Sequence, residues 1–77
     1  MPRSVPEKVL LKLGENVRSL RERATLTQEE LAAQAEVDRT YVGGLERGER
    51  NATIQSLARV AKALGTSVAE LCRGIEG

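Results

Sequence analysis

Histidine, phenylalanine and tryptophan are absent from this chain, and tyrosine and cysteine occur once each, as Tyr41 and Cys72. A lone thiol excludes an internal disulfide, and with no Cys or His cluster a structural zinc site is excluded too. Cys72 has no base partner and no glycine-rich phosphate loop is present, so the residues speak against an enzyme; no cofactor, metal or small-molecule ligand is expected. No apolar run approaches the ~20 residues of a membrane-spanning helix, and the N-terminus lacks a hydrophobic signal core. The expectation is a protein of the reducing cytoplasm with no membrane partner. With so few aromatics its interior must be built from Leu, Val, Ile and Ala.

What remains is a chain of 77 residues, 40% of them hydrophobic, with twelve basic residues against eleven acidic. That length holds one small domain, residues 1–77, and so small a core often gains stability by oligomerising. The net charge of +1 is too small to identify a polyanionic partner, so the placement of charge has to decide.

Helix-start signals recur along the chain, each an oxygen-bearing side chain able to accept an unpaired N–H of a first turn. Ser4 with Glu7 heads a run whose apolar positions Val9, Leu10, Leu13, Val17 and Leu20 keep a helical period, predicting a helix over about 5–24. Thr27 with Glu30 forms a capping box before Leu31, Ala32 and Ala35, predicting 28–35. Asp38 heads Thr40, Tyr41, Val42 and Leu45, predicting 39–47. Thr53 heads Ile54, Leu57, Ala58, Ala61 and Leu64 over 54–64, with Gly65 placed for a left-handed stop. Ser67 with Glu70 caps a last helix over 68–73. No strand pattern, repeat or linker interrupts this order. The prediction is an all-α, compact five-helix domain.

Helices two and three are short and joined by a turn of about three residues, the unit of helix-turn-helix DNA binders, although many small α-bundles share that spacing. The residues are more specific. Leu26-Thr27-Gln28-Glu29-Glu30-Leu31-Ala32, then Val37 to Val42, then Leu45-Glu46-Arg47-Gly48-Glu49-Arg50-Asn51, and Ile54 to Gly65 followed by Glu70-Leu71, resemble the phage repressor and Cro-like helix-turn-helix family, with its lambda repressor-like fold. Within it, Val9-Leu10-Leu11-Lys12-Leu13-Gly14 and Arg39-Thr40-Tyr41-Val42 with Glu46-Arg47-Gly48 look most like the controller proteins of restriction–modification systems. The resemblance implies a short, dimeric transcription regulator, activator or repressor, on a palindromic operator of double-stranded DNA. RNA polymerase stands as a further candidate partner. A prophage-type repressor or an antitoxin could carry the same domain, and a protein-interaction module that has lost DNA binding is a third reading. One departure is Glu36, where relatives often have Gly; a left-handed conformation there would cost roughly 1 kcal/mol.

The resemblance places Arg39 and Thr40 at base edges, where Arg can fork onto the two acceptors of guanine and Thr offers a methyl to thymine. Gln28, at a positive helix end, is implied as a phosphate clamp, against the alternative of a solvated helix-start residue. Gly44 lies one turn beyond Thr40. A missing side chain there would admit close approach to DNA, while close helix packing explains Gly43 or Gly44 equally well. Tyr41 could reach a phosphate or pack at the core margin. Arg47, Arg50 and Asn51 suit phosphate contacts by charge and by backbone N–H groups, with the acidic Glu49 among them. Glu46 is implied to pair with Arg21 inside the fold. Val68, Leu71, Cys72 and Ile75 are more apolar than an exposed tail needs and form the expected dimer interface, unless Val68 and Leu71 complete the monomer core.

Overall fold

The computed structural model describes residues 7–76, so the expected start of the first helix and its Ser4 cap lie outside the described residues. Within them are five helices: α1 (Glu7–Arg23), α2 (Gln28–Ala35), α3 (Arg39–Glu46), α4 (Ile54–Ala63) and α5 (Val68–Leu71). The chain is all-α as expected, with helix ends within two residues of the predicted ones except at the undescribed start. α3 packs on both α1 and α2, α2 also packs on α4, and α5 closes the far side against α4 and α1.

One aliphatic core joins all five. Leu13 and Val17 come from α1, Leu31, Ala32 and Ala35 from α2, Val42 and Leu45 from α3, Leu57, Val60 and Ala61 from α4, and Leu71 from α5. The spacing of three and four residues within each helix puts these side chains on one stripe, which is why a short helix can bury two or three of them. Each buried Leu or Val contributes about 1.5–3 kcal/mol relative to exposure.

Start signals behave as the local chemistry dictates, with one exception. The Thr27 hydroxyl accepts from Glu30 N at 3.0 Å while the Glu30 carboxylate accepts from Thr27 N at 2.8 Å, a complete capping box. Thr53 and Ser67 accept from Ser56 N and Glu70 N in the same way. Asp38 is the exception: it occupies the cap position with extended backbone but its carboxylate makes no cap hydrogen bond, which corrects the expected side-chain cap.

The helix ends share a device that the sequence shows only in part. In α2, Val37 N donates to Ala32 O and Glu36 N to Ala33 O, with Glu36 between them at φ 59°. Glu36 therefore does take the left-handed conformation usually left to glycine, at roughly 1–2 kcal/mol. Thr25 repeats this after α1, at φ 58°, with Leu26 N donating to Arg21 O. This second strained position was not foreseen. The α3 and α4 ends use Gly48 and Gly65, where the conformation is free of that cost.

Two contacts fix α1. A methyl at Gly14 would lie 2.5 Å from the carbonyl oxygens of both Leu45 and Glu46, so the absence of a side chain lets α1 touch the backbone end of α3. Asn16 donates from Nδ2 to Leu71 O and Arg73 O, each at 2.8 Å, and so satisfies the end of α5 from across the domain.

Candidate nucleic-acid interface

α3 begins with two exposed side chains, Arg39 and Thr40. They point to different flanks. Arg39 shares a shallow open depression with Arg21, Thr27, Gln28 and Glu29, at the start of α2. Thr40 shares a second one with Asp38, Tyr41, Arg50 and Ser56. One turn on, the same division repeats: Gly43 lies under Arg47 and Gln28, with a built Cβ 3.1 Å from Arg47 Nη1 and 3.6 Å from Gln28 Oε1. Gly44 lies under Arg50, whose Cγ would be 2.8 Å from a built Cβ. Gly43 and Gly44 are both buried. Glycine at these positions lets two arginines lie down along the helix, one on each side of its leading residues. In the free chain the close approach at Gly44 is therefore made by the Arg50 stem.

Arg39 has no ion-pair or hydrogen-bond partner for its side chain among the described residues. The ion pairs among the described residues are Arg18–Glu22, Arg21–Glu46, Arg47–Glu49 and Glu70–Arg73, so Asp38 does not tie down its neighbour. The Arg47–Glu49 pair is exposed on both sides and contributes little to stability. Arg50 also lies over the Tyr41 ring, 5.9 Å from its centroid. Asn51 follows, exposed, in the loop leading to α4.

Behind this surface Arg21 and Glu46 form the internal pair. Arg21 Nε donates to Glu46 Oε2 at 2.6 Å and Nη2 to Oε1 at 3.0 Å, a two-pronged contact with side chains only 13% and 4% exposed. The hydrogen bond to Glu46 holds the Arg21 guanidinium above its ordinary pKa, against the opposing effect of burial. Arg21 Nη1 also donates to Leu26 O at 2.8 Å, which pins the turn between α1 and α2. The sequence did not reveal a third member: Gln28 Nε2 donates to Glu46 Oε1 at 3.0 Å.

Tyr41 is half-buried and packs against the core, and its hydroxyl meets the Ser56 hydroxyl. Ser56 gives its one hydrogen to Thr53 O at 3.0 Å, which makes Tyr41 the donor of that contact. A phosphate contact from Tyr41 requires release from Ser56. Nothing in the sequence pairs position 41 with 56, because the two come together only in the folded domain.

The expected dimer surface divides. Leu71 is 0% exposed and belongs to the core of the single chain, which corrects its assignment to an interface. Val68, Cys72 and Ile75 are half-buried at its edge. Elsewhere, Leu11 at 50% and Ile54 at 71% are the exposed large hydrophobics among the described residues. No described helix is long and apolar enough to cross a membrane.

A short helix bearing exposed Arg and Thr at its start, braced by a preceding capped helix and flanked by arginines, is the working part of a helix-turn-helix domain. Residues 17–71 match the helix-turn-helix family HTH_3, and the chain belongs to that family. Its relatives are more specific. Control protein C.SmaI of Serratia marcescens is 52% identical over 59 residues, spanning 77% of this chain and 70% of that protein. Control protein C.MunI of a Mycoplasma species is 36% identical over 69 residues, spanning 88% of this chain and 93% of that protein. The crystal structure of the restriction–modification controller protein C.AhdI from Aeromonas hydrophila superposes with a TM-score of 0.79 at 44% identity, over 80% of this chain and 94% of that one.

Proposed function

We propose that this helix-turn-helix DNA-binding regulator is the controller of a restriction–modification system and binds a palindromic operator as a homodimer. The observation that carries the reading is the exposed start of α3, with Arg39 and Thr40 projecting between Gln28 and Arg47 on one side and Arg50 on the other. Arg39 reads guanine, Thr40 reads a neighbouring base, and Gln28, Arg47, Arg50 and Asn51 hold phosphates. Gly44 keeps α3 thin enough to seat Arg50 against it. Tyr41 joins the phosphate set on leaving Ser56. The similarity to control proteins over most of the chain supports the restriction–modification context.

One domain reads only half of a palindrome, so a second copy is needed, joined around Val68, Cys72 and Ile75. The reading places the protein in the cytoplasm, with its operator and RNA polymerase, and assigns it no catalytic step. Footprinting on the DNA upstream of its own gene tests this. Two protected, symmetry-related half-sites one helical turn or a multiple apart, about 34–36 Å per turn, are expected. A single unpaired site, or no protection against a scrambled duplex, contradicts it.

A further inference from the structure

The Gln28 amide is held in one orientation by a carboxylate that is itself held by Arg21. Glu46 Oε1 accepts from Gln28 Nε2 and from Arg21 Nη2, each at 3.0 Å. Turning the amide over would bring its oxygen against that carboxylate, so only the N–H-inward orientation is stable. An amide nitrogen has two hydrogens, and no group among the described residues takes the second from Gln28. A methyl added at Gly43 would stand 3.6 Å from the amide oxygen, at ordinary van der Waals distance, so the glycine does not crowd it. A carboxylate this close to the start of α2 would ordinarily repel a phosphate. Here Arg21 neutralises it through two hydrogen bonds, and the Glu46 side chain is only 4% exposed.

We propose that Glu46 is a positioning residue for DNA: neutralised by Arg21, it orients the Gln28 amide so that the free amide hydrogen meets a backbone phosphate. The proposal rests on the assignment of Gln28 to a phosphate and adds that Glu46 acts through it. The Arg21–Glu46 pair then has a role in binding as well as in the fold.

Replacing both members of a buried ion pair by apolar residues is often neutral for folding, whereas removing one is not. The test compares wild type, Gln28→Ala, Arg21→Met/Glu46→Leu and the triple variant on the duplex from upstream of the gene, at fixed salt. Gln28→Ala and the pair replacement should each weaken binding about tenfold, and the triple variant should be no weaker than either. Arg47→Ala, as a control, should lose the same factor in both backgrounds. A triple variant weaker by the product of the two factors, or a pair replacement that leaves affinity intact, overturns the positioning role. If Gln28→Ala itself binds as wild type does, the phosphate assignment fails first and takes the proposal with it. A measurement that needs no variant is the mobility of side-chain amides in the free protein by nuclear magnetic resonance. Gln28 should approach the order of rigid backbone, an order parameter of about 0.85, while the exposed Gln34 and Gln55 do not. A Gln28 amide as mobile as those two contradicts the account.

Discussion

At Gly14 two backbones meet, and the consequence is sharper than for any side chain in the core. A methyl there would stand 2.5 Å from two carbonyl oxygens that cannot move without parting α1 from α3. Gly14→Ala should therefore cost about 3 kcal/mol, the upper end of overpacking, despite the better helix propensity of Ala. Denaturant unfolding measures it, and a neutral or stabilising result would mean the helices are not so closely apposed. Glu36 offers the opposite case. Its φ of 59° is strained for any residue with a Cβ, and glycine is at ease there. Glu36→Gly should raise stability by about 1 kcal/mol, read from the same unfolding curves, with DNA affinity unchanged. A loss of stability would show that the Glu36 side chain contributes something its exposed position does not reveal.

Helices α2, α4 and α5 were legible because a hydroxyl at the head of each, Thr27, Thr53 and Ser67, accepts from the backbone N–H three residues on. Such signals are local, and a sequence displays local chemistry well. Contacts made through space were not legible. Asn16 reaching Leu71 O, Tyr41 meeting Ser56 and Gln28 meeting Glu46 join residues 55, 15 and 18 positions apart, with no periodicity linking them. Gly14 did leave a trace, as a glycine inside a strongly periodic helix, but only the approach of α3 gives it meaning. Asp38 shows the converse error: its residue type and position suit a cap, yet its carboxylate takes no part. The α3 surface yields a prediction of its own. A methyl at Gly44 would displace the Arg50 stem, 2.8 Å away, and its three nearest neighbours would all be Arg50 atoms. Gly44→Ala should keep its folding midpoint and bind DNA as weakly as Arg50→Ala does. Retained wild-type affinity would mean that Arg50 needs no seat on α3.

For the whole molecule, partition of the apolar C-terminal residues decides the assembly. Leu71 is consumed by the core, leaving Val68, Cys72 and Ile75 at its margin. Ile75→Asp should yield a folded monomer in sedimentation, with affinity for the full palindrome greatly reduced. A dimer of unchanged strength places the interface elsewhere, with exposed Leu11 and Ile54 the next surfaces to probe. Binding should also be salt-dependent despite a net charge of only +1, because the charges facing the groove are the ones that displace counterions. The most direct measurement is the affinity of Arg39→Ala for the operator upstream of the protein's own gene, set against a scrambled duplex of equal length. Loss of one guanine fork should lower the operator affinity by roughly 1–3 kcal/mol and leave the scrambled duplex nearly unaffected, so that the ratio between them collapses. A ratio equal to that of the wild-type protein would contradict the reading of α3 as the element that recognises sequence.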